Sequence, residues 1–514
     1  MTKIKILKYP YFALILLLVS CIKTKEEKAV ALYDTYCSSC HLLPEINSLP
    51  KHIWEEGVLP DMAARMGIQD STYDPYEKVS RMEKFAIMES GIYPKKPIIE
   101  TEDWNLLKDY ILKMANDSLD TSDVFTPIKK ISQFHPQSVI LDSTKGALIT
   151  FLEYDSLQKK IVAGNLNGKL IHYDPLQKKV IKTERTENAL TAYAQKDTLR
   201  YLTYVGYLNP SELASGSVHV IEPSKRKLNK VGIQLHRPVH TLVYDFNEDG
   251  NDEVVVCEFG DLTGKLSLLS HTGDFEYQRE VLLNQPGSIR TIAKDMNKDG
   301  KTDIVVLTSQ GREGITILYQ EDNLEFKMET PIKFSPVYGS SWFEIIDYNH
   351  DGFYDIVTVH GDNADKSYVH KPYHGLRLHI NDGNNNFEDK YFYPLNGATR
   401  VVSNDFDQDG DIDFGILSTF PNYEQKPTYS FVYLQNNDAD LFNFEPYRLN
   451  SSDLGRWLLM DSGDFDDDGD IDIVLSAFSY SFTPVPKNLH EAWRNSDVDL
   501  LILENNLNPA VPNP

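Results

Sequence analysis

The chain has 514 residues, 41% of them hydrophobic and 25% charged, with a mean hydropathy of -0.38. This is globular composition and argues against both a disordered chain and a polytopic membrane protein. The formal charge of -25, from 51 Lys+Arg against 76 Asp+Glu, would repel a phosphate backbone, so nucleic acid is not an expected partner. The length predicts two or more folded units, and four cysteines are too few to staple them.

The N-terminus reads as an address. Lys3, Lys5 and Lys8 precede an apolar run from Tyr11 to Val19, too short to span a bilayer comfortably. It ends in Leu18-Val19-Ser20-Cys21, which resembles a bacterial lipobox, with Cys21 as the lipidated residue. The plain alternative is a signal peptide with a chance cysteine. Residue 22 is Ile, and Lys23-Thr24-Lys25-Glu26-Glu27 is similar to the surface-export tag of Bacteroidetes lipoproteins. These resemblances imply an exported outer-membrane lipoprotein, at the periplasmic face or the cell surface, that meets the membrane only through its lipid.

Cys37-Ser38-Ser39-Cys40-His41 follows at once. C-x-x-C-H is the pattern of c-type haem attachment: two thiols a helical turn apart for the porphyrin vinyl groups, then an imidazole for the iron. A redox C-x-x-C pair or half a zinc site are the alternatives, but no second Cys/His pair lies nearby to complete a zinc site. Candidate sixth ligands are Met62, Met66, Met82, Met88 and Met114. A helix over 59–66 puts Met62 and Met66 on one face. The segment Ile53–Met62 resembles the Trp…Val-Leu-Pro-x-Met stretch of cytochrome c domains fused to FG-GAP repeats, which favours Met62. Apolar spacing in Asp103–Leu112 predicts a closing helix, resembling the last helix of cytochrome c, with Trp104 and Leu107 against the haem edge.

Five acidic loops follow. The first runs Asp245, Asn247, Asp249, Asn251, Glu253 at positions 1, 3, 5, 7 and 9, and the second Asp295, Asn297, Asp299, Lys301, Asp303. The third is Asp347, Asn349, Asp351, Phe353, Asp355, the fourth Asp405, Asp407, Asp409, Asp411, Asp413, and the fifth Asp464, Asp466, Asp468, Asp470, Asp472. Every loop has Gly at position 6, and the first aspartates are 50, 52, 58 and 59 residues apart. Oxygen side chains at 1, 3, 5 and 9, with the position 7 carbonyl, suit up to five Ca²⁺; the flanking β runs exclude an EF-hand. The units resemble FG-GAP/VCBS repeats, which implies a calcium-binding β-propeller over about residues 130–514.

Two weaker units, Ile161–Ile171 and Tyr201–Ile221, precede the five and carry no such loop, for seven blades in total. The last blade ends short at Leu500–Leu503, so the stretch near Phe125–Ile131 is expected to add its missing edge strand. Cys257 reads as an inert strand residue. Five residues before each loop stand His240, Arg290, Trp342, Arg400 and Leu459, with Arg456 and Trp457 just upstream of the last; loops after the second strands bring Glu258, Gln310, His360 and Asp362 to the same rim. Such a ring could clamp an anionic or carbohydrate ligand, or could simply pack between blades.

The expected organisation is a signal peptide (1–20), a tether (21–30), a small all-α monohaem cytochrome c domain (31–116), a linker (117–130) and an all-β seven-bladed propeller (131–514). Methionine–histidine ligation implies one-electron transfer with a redox partner protein, the propeller serving as a ligand- or partner-binding platform. Two other readings stay open: a haem-coupled dehydrogenase acting on a carbohydrate-like substrate, and a glycan- or protein-binding adhesion module.

Overall fold

The computed structural model describes residues 24–69, 73–120, 128–225, 227–273, 276–362, 367–451, 453–480 and 483–507. The leader, with Cys21, lies outside them, as does Phe125. No helix among the described residues is long and apolar enough to cross a membrane.

The first unit is helical. Helix α1 spans Lys25–Leu32 and starts in the expected tether, because Thr24 and Glu27 form a reciprocal capping box (Glu27 N–H to Thr24 Oγ1, 3.2 Å; Thr24 N–H to Glu27 Oε2, 2.7 Å). It runs into a π turn over Tyr33–Cys37. A second helical run comprises α2 (Lys51–Ile53), a π turn over Trp54–Val58 and α3 (Leu59–Arg65). Then come α4 (Arg81–Ser90) and α5 (Thr101–Met114). Trp104, Leu107 and Ile111 of α5 recur at helical spacing and are buried against Leu32, Tyr33, Trp54, Leu59 and Met66.

The second unit is a seven-bladed β-propeller, with one sheet per blade whose four blade strands run antiparallel. The innermost strands are Ile149–Asp155, Leu190–Lys196, Pro238–Tyr244, Ser288–Lys294, Ser340–Ile346, Ala398–Asn404 and Trp457–Gly463. The second strands, such as Asp303–Thr308 and Asp472–Ala477, are buried along their whole length, since blades cover both faces. Cores form between neighbouring blades: Val255, Cys257 and Leu268 of blade 3 meet Ile304, Val306 and Leu318 of blade 4. Cys257 is wholly buried, as expected, and burial pushes its thiol up to about 12.

Ring closure departs from expectation. The missing strand of blade 7 is His135–Val139, paired antiparallel with Leu500–Glu504 from His135↔Glu504 to Val139↔Leu500. The more apolar stretch before it adds elsewhere: Lys129 and Lys130 pair parallel with Tyr447 and Arg448 at the edge of blade 6. The expected linker is therefore partly sheet. An outermost strand has one edge and one face in water, so apolarity does not mark it, and Pro136 is tolerated there.

Candidate functional site

The acidic loops join first and second strands at one rim. In each, position 4 (Glu248, Lys298, His350, Gln408, Asp467) and the glycine at position 6 both have positive φ. Nothing lies within 4 Å of a Cβ built on Gly250, Gly300, Gly410 or Gly469, so glycine is there for backbone conformation, not space. The turn aims N–H groups at the carboxylates: Gly250 N–H donates to Asp245 (2.9 Å) and Asn251 N–H to Asp249 (2.8 Å), with equivalents in the later loops. Ligand-competent oxygens of Asp405, Asp407 and Asp413, and of Asp464, Asp466 and Asp468, lie within 4.8 Å of one another. Buried oxygens of Asp347, Asp464 and Asp466 have no hydrogen-bond partner among the described residues.

Position 9 has a second duty that sequence reasoning missed. Asp472 accepts Phe465 N–H (3.0 Å) and Asn505 N–H (2.8 Å), tying its loop to the third strand of the blade. Asp413 does the same with Phe406 (3.1 Å) and Asn436 (2.7 Å). Burial pushes Asp413, Asp472 and Glu253 up to about 7, and Asp303 and Asp355 to about 6. The position 7 side chains point away from the loop in two blades: Lys301 pairs with Asp322 (2.9 Å), and the Phe353 ring sits under Lys298.

The helical unit sits on the opposite rim. Tyr373 donates to the Ser48 carbonyl (2.7 Å), Glu212 N–H to Glu83 (3.0 Å), and Val337 joins the helical core. Between the two units lies one cavity of about 1780 Å³. Its helical wall carries Cys37, Cys40, His41, Trp54, Met62, Met66, Trp104 and Leu107. Cys37 is buried, which pushes its thiol up to about 12, while Cys40 is exposed and both thiols are free. His41 Nδ1 lies 2.9 Å from the Leu42 carbonyl. A carbonyl only accepts, so Nδ1 carries the ring proton and Nε2 keeps its lone pair for a metal. These donors, beside Trp54, Trp104 and Leu107 on the cavity wall of a small helical unit, fit a covalent haem. Met62 and Met66 both line it, Met66 the more deeply buried. On the same wall Asp61 holds Arg65 (2.9 Å) and Tyr73 (2.9 Å).

The other wall is the propeller's axial funnel. Every innermost strand carries a register shift at its start, as between Pro238 and His240 or Ala398 and Arg400. Bulges of this kind re-aim side chains. His240, Arg290, Trp342, Arg400, Leu459, Gln310 and Asp362 line the cavity. The guanidinium carbons of Arg290 and Arg400 lie 4.0 and 4.3 Å from the Trp342 ring centre, and Arg290 pairs with Glu344 (2.6 Å). Glu258 and His360 are not on that wall. Glu258 is spent inside blade 3 on Arg279, Ser267 (2.5 Å) and His236 N–H (2.8 Å). His360 is spent in blade 5 on Ser340 (3.0 Å) and Thr358 (2.8 Å). Arg456 and Trp457 are buried. Conversely Glu153 and Asp461 line the cavity without having been singled out. Asp461 stands three residues before its loop, two along from Leu459 on the same strand face, and that alternation was the available signal.

A family model for the FG-GAP-like repeat matches residues 295–358. No curated protein matches the sequence. Among solved structures, the chain is similar to the WD40 domain of Pan2 from Neurospora crassa, at 11% identity over 75% of this chain and 98% of that one, TM-score 0.43. It is also similar to the WD40 domain of SCAP from fission yeast, at 11% identity over 73% and 98%, TM-score 0.38.

Proposed function

We propose that this is an exported, lipid-anchored c-type cytochrome that transfers single electrons, with its FG-GAP-repeat propeller as a calcium-stabilised binding platform. One observation carries the reading: Cys37, Cys40 and His41 stand on a cavity wall that also carries Trp54, Trp104 and Leu107, with the His41 proton committed to the Leu42 carbonyl. Cys37 and Cys40 would hold the porphyrin as thioethers, and His41 Nε2 and Met62 would ligate the iron. A haem bound in this way supplies a one-electron couple. The chain's part is to exclude water with Trp54, Trp104 and Leu107, and to fix the imidazole. Expressed in a host that matures c-type cytochromes, the protein should carry one haem that survives denaturation and is lost in Cys37→Ala/Cys40→Ala. Zinc in place of haem would overturn the reading.

A second reading, oxidation of a small molecule in the funnel by a second, two-electron redox cofactor that would pass its electrons singly to the haem, is favoured by the shared cavity. Anaerobic reduction of the ferric haem by a small molecule alone, rather than only by a redox protein, would select it.

A further inference from the structure

At about 1780 Å³ the cavity exceeds the roughly 300–1,000 Å³ of a single ligand pocket, so it has room for a second occupant beside one held by the helical wall. The propeller wall has the matching chemistry. His240, Arg400 and Asp461 line the cavity half-buried, and Glu153 lines it with its side chain exposed to the cavity space. Burial and the neighbouring Arg290 bring Arg400 down to about 10. Among the described residues its one hydrogen-bond partner is the Thr399 carbonyl (2.7 Å), whereas Arg290 is taken by Glu344 and the Phe343 carbonyl (2.8 Å). The Asp362 carboxylate on the same wall acts on Arg400 through its charge, and among the described residues most of the planar donor fork stays without a hydrogen bond.

Its neighbours narrow the choice. His240 lies beside two arginines and stays neutral, held down to about 3; its Nδ1 takes Thr291 N–H (3.4 Å), so Nε2 carries the proton. Burial raises Asp461 to about 6, and desolvation with the neighbouring Asp461 and Asp155 carboxylates also raises Glu153. The Asp461 oxygens take Tyr154 N–H (2.7 Å) and Ser462 N–H (2.9 Å) and keep further lone pairs, which oppose a dianion such as phosphate but accept from hydroxyl groups; the Glu153 carboxyl exchanges hydrogen bonds with the same groups.

We infer that the head of the funnel is a binding site for a small hydroxy-carboxylate, its carboxylate on Arg400 and its hydroxyl groups on Asp461 and Glu153, enclosed against the helical wall. The inference rests on the platform reading of the propeller and not on the haem. The test is calorimetry on the full-length protein with gluconate, glucose and inorganic phosphate. Gluconate should bind one per chain, with glucose and phosphate at least tenfold weaker. Arg400→Gln should lose at least tenfold in gluconate affinity, and Arg400→Lys, which keeps the charge without the fork, should lose less. A thermal melt on each variant shows that the propeller is folded. No gluconate binding, glucose or phosphate binding as tightly, or undiminished binding by folded Arg400→Gln would each overturn the inference. The haem spectrum of the same sample reports on the cytochrome reading separately.

Discussion

Met62 and Met66 stand one turn apart at the mouth and in the core of the helical unit, and they should fail differently when truncated. Met66 is 4% exposed, so Met66→Ala should cost about 2–5 kcal/mol of stability and leave the haem spectrum unchanged. Met62 is half-buried on the cavity wall. Met62→Ala should change the ferrous and ferric spectra and lower the midpoint potential, because methionine ligation raises it. An unchanged potential would remove Met62 as ligand. The side chains at the funnel head show what sequence spacing can and cannot say. Counting back from the acidic loops located His240, Arg290, Trp342 and Arg400, since strand alternation is local. Glu258 and His360 end second strands, and only the packing of their own blades decides that Arg279, Ser340 and Thr358 take them.

The element that repeats is an acidic loop clamped between two strands. Its position 9 carboxylates are buried and pushed up by that burial and by nearby loop carboxylates, a cost that a bound cation relieves. Chelation should lower the melting temperature by several degrees, and calcium should restore it better than magnesium, which demands tighter octahedral geometry. Asp407→Asn should blunt that response at one blade only. Asp472→Ala should cost more, since Phe465 and Asn505 N–H groups then lose their acceptor inside the blade. The helical run from Lys25 was hidden in the sequence because Lys23–Glu27 resembles a short charged tag; the reciprocal cap that starts the helix is visible once Thr24 and Glu27 are seen to bond.

Across the whole molecule, closure and acid stability are the two properties that depend on distant parts. The ring is fastened by His135–Val139 on the last blade, so a chain starting at residue 128 should melt cooperatively, and one starting at residue 141 should not. Acid sensitivity should centre on blade 5. His360, His374 and His379 are at most 3% exposed, and burial beside Lys371 and Arg377 holds them neutral, His379 down to about 4. The unfolded chain takes up these protons near 6.5, so stability is full above that pH. It falls as the pH drops, by up to about 1.4 kcal/mol per pH unit for each histidine, until the folded groups titrate. The raised carboxyl groups, Glu153, Glu253, Asp303, Asp355, Asp413 and Asp472 as well as Asp461 and Asp499, act in the opposite sense between about pH 8 and 4, because the folded state binds their protons first, so the histidine contribution is read as a difference between the protein and its histidine variant. His374→Gln should make urea stability between pH 6 and 5 less steep by about one such increment.

The sequence alone determined the number of blades, the acidic loops and the C-x-x-C-H segment, because each depends on residues close together in the chain, where turn geometry and alternation apply. What only the tertiary structure decided is which strand closes the ring, that the helical unit caps the funnel, and that the two walls share one cavity. Those outcomes depend on contacts between residues hundreds of positions apart, such as Ser48 with Tyr373 and His135 with Glu504, and local physical chemistry carries no record of such pairings.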